Sequence, residues 1–315
     1  MSPVIATRNL TKKFGTLTAL AQVDLTVAPG TVFGFLGPNG AGKTTTVRLL
    51  NGLLLPTAGQ AFVLGHEVPR DSHHVRRRCG VQTDTNLYDK LTVQENLEIW
   101  GGLYGLRSSE LQQRLSALLE QFDLAEKRRD LAGSLSKGMK QKLSIARALI
   151  HDPEILFLDE PTAGLDPETS EDLLQYLRRF IAGRTRTVFL CSHRLEEVEL
   201  LCEAVAIIDH GSLLAGGAIA ELRRQLWPER VWWIDFLEPR AHFFAALRRA
   251  GWQPQPAAPE HHLKIALRDA AEIARVVRTL VQAGADIAAV QEERRSLKDI
   301  YFALLPREKH ESASH

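Results

Sequence analysis

The sequence predicts an α/β fold built on a parallel sheet, with a smaller α+β domain after it. Residues 31–36 are rich in β-branched and aromatic side chains, run into a glycine-rich turn and are followed by helical apolar spacing over 44–50. Three later apolar runs, at 155–158, 187–191 and 205–208, are typical of strands buried on both faces. Since such strands occur in parallel sheets, the four segments predict the central sheet.

The composition excludes several classes of protein. With 44% hydrophobic and 24% charged residues, the chain is neither disordered nor fibrous, and its 315 residues predict two unequal domains. Lysine and arginine number 39 against 38 acidic residues, so no overall field favours nucleic acid or an anionic membrane. Three widely spaced cysteines favour a reducing setting. No apolar run approaches the roughly 20 residues of a membrane span, and no secretory signal begins the chain, so we expect a cytoplasmic protein.

A helix-rich section separates the first and second predicted strands, and we place a helical subdomain at about residues 88–152. Thr92 and Ser109 each begin the pattern of a capping box, with Glu95 and Gln112 three residues later. Five apolar residues then share one helix face: Leu111, Leu115, Leu118, Leu119 and Phe122.

The sequence changes character near residue 225, where Trp227-Pro228 and a proline-rich patch at 253–259 indicate a linker and a second domain. Beyond it, strands at 231–237, 262–267 and 285–291, helices at 240–250 and 270–283, and a further short strand predict a split βαβ, ferredoxin-like unit. Ser296 begins a last helix. We therefore predict a larger domain over residues 1–224, an accessory domain over 225–308 and a disordered tail over 309–315.

Residues 37–44 match the phosphate-binding pattern G-x-x-x-x-G-K-[ST] and lie between a predicted strand and helix. Backbone N–H groups of such a loop converge on phosphate oxygens, and the helix N-terminus adds partial positive charge. Lys43 should bridge the β- and γ-phosphates, and Thr44 should reach Mg²⁺. Taken alone, the segment is also compatible with an ordinary glycine-rich turn. The candidate nucleotide-binding residues are Gly37, Asn39, Gly40, Ala41, Gly42, Lys43, Thr44 and Thr45.

Two consecutive acids follow the apolar run at 155–158. Neighbouring side chains of a strand point in opposite directions, so the two acids are expected to do different work. We expect Asp159 to serve the Mg²⁺ shell and Glu160 to orient and polarise the attacking water, because phosphoryl transfer depends on positioning and charge stabilisation. An acidic strand-to-loop turn is the alternative for this pair alone.

Residues 135–141, LSKGMKQ, come directly before another predicted helix. Leu143, Ala146 and Ile150 share one face of that helix, which leaves Ser136 and Gly138 at its N-terminus. Such an N-terminus is a possible anion site, although an ordinary N-cap followed by glycine has the same pattern.

Over about the first 220 residues, these motifs resemble in order and spacing the ATP-binding subunits of ABC transporters. In that resemblance 37–44 is the Walker A loop, 155–160 is Walker B, 135–141 is the signature LSGGQ and 163–166 is the D-loop. The implied fold is a P-loop NTPase with a helical subdomain, followed here by the small α+β unit. The resemblance also implies roles for Phe14 on the adenine, His193 as the switch histidine and Asp166 in the D-loop.

The signature departs from LSGGQ, because Lys137 replaces the first of the paired glycines and Met139-Lys140 precede Gln141. Ser136 and Gly138, the expected γ-phosphate contacts, are present. A glutamine that reaches Mg²⁺ in the family is predicted at Gln82, whose amide oxygen suits a hard cation. Counting back without a gap leaves Thr83 as the competing assignment.

The resemblance implies an ATPase subunit that uses ATP and Mg²⁺ and pairs with a second, identical or different, ATPase subunit. Each ATP would be held by Lys43 of one chain and by Ser136 and Gly138 of the other. The partner would be an integral-membrane permease, with this chain on the inner face of the membrane. The C-terminal part resembles the extension of bacterial drug- and lipid-exporter ATPases, which implies export. The alternatives are an ABC ATPase that remodels nucleic acid or ribosomes, and a C-terminal unit that senses a ligand.

Overall fold

The computed structural model describes residues 2–83, 87–181, 186–238, 241–257, 262–269 and 271–305. The chain divides into two units, of which the larger comprises residues up to Ile219 together with those from Leu304, and the smaller is Ala220–Ala303. The boundary predicted at residue 224 lies inside a helix, Ile219–Leu226, and the division falls at the beginning of that helix. The predicted tail at 309–315 lies outside the described residues.

The described part of the larger unit contains two sheets. Its strands, in chain order, are β1 (Ile5–Phe14), β2 (Leu17–Val23), β3 (Thr26–Val27), β4 (Val32–Leu36), β5 (Ala58–Val63), β6 (His66–Val68), β7 (Cys79–Gln82), β8 (Ile155–Asp159), β9 (Thr187–Ser192), β10 (Ala204–Asp209) and β11 (Ser212–Ala218).

The central sheet has six strands in the order β11-β10-β4-β9-β8-β7. Every neighbouring pair from β10 to β7 is parallel, and β11 pairs antiparallel with β10 at one edge. Strands β4, β8 and β9 are buried at every residue, which is why they occur in the sequence as continuous apolar runs. The predicted parallel sheet is therefore confirmed.

A second sheet, β2-β1-β5-β6 with β3 on β1, is antiparallel, and the sequence interpretation missed it. Its longest strand, β1, pairs with β2 and with β5, and both pairings contain register shifts. Such irregularities break the strict alternation by which a half-buried strand is recognised. This sheet nevertheless carries Phe14, at the end of β1.

Seven α-helices of the larger unit are described: α1 (Lys43–Leu50), α2 (Ser72–Arg78), α3 (Val93–Leu103), α4 (Ser108–Gln121), α5 (Lys137–Leu149), α6 (Pro167–Ile181) and α7 (Leu195–Leu201). An eighth, α8 (Ile219–Leu226), begins at the last residue before the division between the units. The Thr92 capping box is confirmed by reciprocal hydrogen bonds with Glu95 at the start of α3. The box predicted at Ser109 is wrong, because α4 begins at Ser108 after an extended Arg107 and has no side-chain cap. The predicted apolar face of α4 is buried.

After α8, the smaller unit has the strand and helix order β-α-β-β-α-β followed by a last helix. Its elements are β12 (Arg230–Phe236), α9 (Ala241–Arg249), β13 (Gln255–Ala257), β14 (His262–Leu267), α10 (Glu272–Gln282), β15 (Ile287–Glu292) and α11 (Leu297–Leu304). The sheet order is β13-β14-β12-β15, with all pairs antiparallel, as in a split βαβ unit. Ser296 caps α11 through Asp299, as predicted.

Among the helices of the described residues, none combines the length and the apolar composition that crossing a membrane requires.

Candidate functional site

Three neighbouring strands of the central sheet, β4, β9 and β8, end at the same edge. Gly37 follows β4, His193 follows β9, and Asp159 is the last residue of β8. The carboxyl ends of parallel strands form the usual ligand crevice of an open α/β sheet. The segments that the sequence singled out one by one therefore meet at this edge.

The phosphate-binding loop leads directly into α1, with Gly42 as the N-cap of that helix. Gly42 has a φ of 107°, and a β-carbon there would lie 2.6 Å from the carbonyl oxygen of Ala19 in β2. Only glycine combines this backbone conformation with so close an approach. The loop thus leads into α1 at a point where strand β2 of the second sheet packs against the loop.

Lys43 is 6% exposed and its ammonium group is fully engaged. Nζ donates to the carbonyl oxygens of Gly37 at 2.7 Å and Pro38 at 3.1 Å, and it lies 3.0 Å from Oε1 of Glu160. A buried ammonium requires such partners, since charge is costly away from water. The Lys43 ammonium group therefore lies on the inner side of the loop, where a bound phosphate group would contact it.

Thr44, Asp159 and Gln82 present oxygen atoms at the same edge. Thr44 donates its hydroxyl hydrogen to Oδ2 of Asp159 at 2.6 Å. Oδ1 of Asp159 and Oε1 of Gln82 are buried and have no hydrogen-bond partner within the described part of the chain. Gln82 ends β7 directly beside Leu158 of β8. Hydroxyl, carboxylate and amide oxygens are hard ligands, so these residues fit a site for Mg²⁺.

Burial raises the pKa of Asp159 above its usual value, and the nearby charge of Glu160 adds to this, while the hydrogen bond from Thr44 opposes the shift. Desolvation disfavours the charged carboxylate because the residue lies at the end of a fully buried strand. A cation bound beside Asp159 would favour the charged form, so the carboxylate is suited to a divalent metal ion.

Glu160 and His193 form the second polar contact of the site. His193 Nδ1 lies 2.8 Å from Oε2 of Glu160, and since an ionised carboxylate only accepts, the ring N–H donates. Glu160 has a φ of 51°, a left-handed conformation that is uncommon for a non-glycine residue. The amide N–H of Glu160 donates to the carbonyl of Cys191 at 2.9 Å, which holds the turn after β8 against β9.

A cavity of about 420 Å³ opens above the phosphate-binding loop. Its predicted lining residues are Phe14, Asn39, Gly40, Gly42, Lys43, Thr44, Thr45 and Glu160. Phe14 is 45% exposed. The Lys12 ammonium lies over one face of its ring, 4.8 Å from the centroid, in a cation–π contact. Ala41 is buried and contributes backbone contacts, since its carbonyl accepts from Gly211.

Four residues of this cavity were missed by the sequence interpretation: Leu17, Thr18, Ala19 and His210. The first three belong to β2, which follows Phe14 after a two-residue turn, so their place follows from the unpredicted antiparallel sheet. His210 lies in the turn between β10 and β11, and no local pattern distinguishes it from any other turn residue.

Ser136, Gly138 and Asp166 do not line this cavity. Ser136 is the N-cap of α5, and its Oγ accepts from the amide of Met139 at 3.2 Å. Asp166 lies just before α6, where its carboxylate accepts from the amide of Thr169 at 2.9 Å and from the Thr169 hydroxyl at 2.7 Å. These hydrogen bonds lower the pKa of Asp166. The signature and the D-loop therefore form a separate surface of the same unit.

Comparisons with known proteins agree with this geometry. The sequence profile of the family described as ABC transporter matches residues 20–163. The chain is 40% identical over 223 residues to the Nod factor export ATP-binding protein I of Ralstonia nicotianae, covering 70% of this chain and 69% of that protein. It is 31% identical over 308 residues to the linearmycin resistance ATP-binding protein LnrL of Bacillus subtilis, covering 96% of this chain and 99% of that one.

A solved structure of an ATP-binding cassette, dimeric and in a post-hydrolysis state with bound ADP and Pi, is similar with a TM-score of 0.62 and 26% identity. The matched region covers 68% of this chain and 98% of the solved chain. These similarities agree with the phosphate-binding loop and with the contacts among Lys43, Glu160 and His193. The chain belongs to the ABC transporter family, as one of its ATP-binding, ATP-hydrolysing proteins.

Proposed function

We propose that this protein hydrolyses ATP to power export through a separate membrane-spanning partner. The observation that carries the proposal is the arrangement at the sheet edge, where Lys43 contacts Glu160 at 3.0 Å and Glu160 contacts His193 at 2.8 Å. A relative named for Nod factor export supports export as the direction of transport. The resemblance to LnrL extends over nearly the whole chain and therefore includes the smaller unit.

The residues of the site divide the chemistry among them. Lys43 and the backbone N–H groups of the loop bind the phosphates, and Phe14 offers an exposed ring face to the adenine. Thr44, Asp159 and Gln82 would hold Mg²⁺, which would supply positive charge against the charge that develops on the phosphate oxygens. Glu160 orients the attacking water and accepts its proton, and His193 keeps the Glu160 carboxylate in position through the ring N–H.

ATP also acts as the contact between two ATPase subunits. Ser136 and Gly138 are at the N-terminus of α5, away from the cavity of their own chain. Ser136 is exposed, and together with the backbone N–H groups of this helix end, including that of Gly138, it would bind the γ-phosphate held on a second chain. The two chains close around two ATP molecules and separate after hydrolysis. The similar solved cassette with ADP and Pi is a dimer, which supports this part of the proposal.

The partner binds a groove of about 320 Å³ beside α3, which we call the α3 groove and define by Leu53, Thr83, Trp100 and Tyr104. Leu53 is 58% exposed, and Leu103 of α3 is 71% exposed. Exposed apolar residues around a groove are typical of an interaction surface. Opening and closing of the ATPase pair moves this surface, and the membrane-spanning partner follows. The chain thus works at the inner face of the membrane.

The proposal is tested by purifying the tagged protein from membranes in mild detergent. We expect a membrane-spanning chain to co-purify and to raise ATP hydrolysis. Leu53→Glu should abolish that association, whereas Leu200→Glu, at an exposed apolar position of α7, should retain it. Co-purification of RNA or ribosomes without a membrane-spanning chain would contradict the proposal and favour the alternative function.

A further inference from the structure

A buried carboxylate, that of Glu197, lies between the turn that carries Glu160 and the turn that carries His193. Glu197 belongs to the first turn of α7 and is only 3% exposed. A carboxylate buried to this extent requires hydrogen-bond donors around it, because it has lost its hydration. Glu197 does not line the cavity above the phosphate-binding loop, and its partners are instead found in the two turns.

On one side, Glu197 contacts the segment that follows Glu160. The Thr162 hydroxyl donates to Oε1 of Glu197 at 2.6 Å, and Thr162 is 1% exposed. Thr162 comes two residues after Glu160, and the amide of Ala163 donates to the Glu160 carbonyl at 3.0 Å. The hydrogen bond between Thr162 and Glu197 therefore holds a tight turn in which Glu160 has a left-handed conformation, with a φ of 51°.

On the other side, Glu197 contacts the turn that carries His193. Oε1 of Glu197 lies 2.6 Å from Nη1 of Arg194, and the Ser192 hydroxyl donates to Oε2 at 3.4 Å. The Ser192 hydroxyl also accepts from the amide of Arg194 at 3.0 Å, which closes the turn around His193. Since Ser192 and Arg194 flank His193 in the sequence, these contacts restrict the backbone from which the imidazole projects.

The contact between Glu160 and His193 needs support from outside, because the His193 side chain is 42% exposed. A hydrogen bond with an exposed partner contributes little on its own, since water competes for that partner. The distance of 2.8 Å between His193 Nδ1 and Glu160 Oε2 therefore depends on the spacing of the two turns. Backbone hydrogen bonds join the strands before the turns, and Glu197 joins the turns themselves.

We infer that Glu197 is a positioning residue that keeps His193 within hydrogen-bond reach of Glu160. One carboxylate oxygen holds the Thr162 hydroxyl and the other holds the Ser192 hydroxyl, so the two turns keep a fixed spacing. The inference rests on the proposed function, in which Glu160 orients the attacking water and His193 keeps Glu160 in position. Loss of the support from Glu197 then misplaces Glu160, which slows the chemical step and leaves ATP binding intact.

The test separates kcat from KM for ATP hydrolysis by the full chain. Thr162→Val is the sharpest variant, because valine keeps the size of the side chain and removes only the hydroxyl that donates to Glu197. We expect kcat to fall by about 10- to 100-fold with KM unchanged, since a misplacement of about 1 Å at a reacting group can cost this much. Glu197→Ala releases both turns and should lower kcat at least as far. Thr162→Ser restores the hydroxyl and should recover most of the parental kcat.

Thr187→Val is the matched control, because Thr187 is a buried threonine at the opposite end of β9 from Ser192. Thr187 is 2% exposed, and its hydroxyl oxygen accepts from the amide of Gly30 at 2.9 Å. Thr187→Val thus also loses a buried hydrogen bond, and thermal midpoints compare its stability with that of Thr162→Val. It should keep the parental kcat and KM, since Thr187 contacts neither turn.

A double-mutant cycle with His193→Ala asks whether Thr162 and Glu197 act through the contact between Glu160 and His193. In the His193→Ala protein no imidazole is left to position, so Thr162→Val should lower kcat little further. The two substitutions together should therefore cost clearly less than the product of their separate effects.

Four results would overturn the inference: a parental kcat in the folded Thr162→Val protein, a rise in KM in place of a fall in kcat, an equal fall in kcat in Thr187→Val, or fully additive losses in the double-mutant cycle. The proposed function is judged separately, by Glu160→Gln. If Glu160→Gln stops hydrolysis while Thr162→Val keeps the parental kcat, the inference fails and the proposed function stands. If Glu160→Gln hydrolyses ATP at the parental rate, both fail.

Discussion

Lys43 Nζ lies 3.0 Å from Glu160 Oε1, so the cation expected to hold phosphate and the carboxylate expected to activate water neutralise each other. Both groups are largely buried, at 6% and 20% exposure. Phosphate oxygens that enter the loop compete with Glu160 for the Lys43 ammonium. On the proposed function, nucleotide binding would release one Glu160 oxygen for water and so would link occupation of the site to its activation.

Glu160→Gln should stop hydrolysis and preserve ATP binding. The amide keeps the shape of the side chain but cannot accept the proton of the attacking water, and it no longer holds Lys43 in an ion pair. We expect turnover to fall by roughly 10² to 10⁴. Phosphate release and equilibrium ATP binding, measured on the same preparation, check both parts. Parental turnover in a carefully purified sample would refute the assigned role of Glu160.

Lys43→Ala is the contrasting change in that experiment, because it removes the phosphate ligand itself. The loss of a charge-assisted hydrogen bond should weaken ATP binding by about 10- to 100-fold. Arg48→Ala, an exposed basic residue of the same helix, should bind ATP like the parent.

The phosphate-binding loop was predictable because its chemistry is local: eight consecutive residues supply the backbone amides, Lys43 and Thr44. The ion pair between Lys43 and Glu160 was not, since it joins residues that are distant in sequence and depends on the register of β4, β9 and β8. The antiparallel sheet was missed because the register shifts in β1 remove regular alternation. At α4, Ser109 and Gln112 satisfy the capping-box pattern, but the helix already begins at Ser108, directly after the extended Arg107.

Gln82→Ala should lower ATP hydrolysis more than Thr83→Ala does. Gln82 is 1% exposed, with its amide oxygen at the sheet edge near Asp159, whereas Thr83 lines the α3 groove. For Gln82→Ala we expect a roughly tenfold slower reaction, which corresponds to a loss of about 1.4 kcal/mol of transition-state stabilisation. Hydrolysis rates and their dependence on Mg²⁺ concentration distinguish the two variants, with folding monitored by circular dichroism. The reverse ranking would transfer the predicted role to Thr83.

The stability of the larger unit should fall on mild acidification because of His151. Burial, opposed by the hydrogen bond from Nε2 to the Cys79 carbonyl, lowers the pKa of His151 from 6.5 to about 4. The unfolded chain takes up a proton near pH 6.5, and the folded chain does so only near pH 4. The stabilisation is therefore present above about pH 6.5 and lost as the pH falls towards 4, up to about 3 kcal/mol.

His151→Phe tests this prediction, because phenylalanine keeps a ring against Tyr104, where the centroids are 3.6 Å apart, and cannot take up a proton. Thermal midpoints measured between pH 7 and pH 5 should fall less steeply in this variant than in the parent. His73→Phe, at an exposed position of α2, controls for the loss of one histidine. Identical slopes in the parent and in His151→Phe would contradict the assignment.

A chain that ends at Leu226, the last residue of α8, should still bind Mg-ATP. Among the described residues, all those that line the nucleotide cavity belong to the larger unit. We expect the ATP dissociation constant to match that of the full chain, as measured by equilibrium titration. Loss of binding by a truncated protein that is still folded by circular dichroism would show that the smaller unit supports the site.

The most direct test of the account is the mass of the Glu160→Gln protein in sedimentation velocity, with and without Mg-ATP. Without ATP, the sedimenting species should be the monomer of 35.1 kDa. With Mg-ATP, it should be a dimer of twice that mass. Ser136→Arg in the same background should bind ATP with the same affinity and remain monomeric, because Ser136 serves the site of the other chain. A Glu160→Gln protein that stays monomeric with ATP bound, or a Ser136→Arg variant that dimerises as readily, would contradict the shared ATP site.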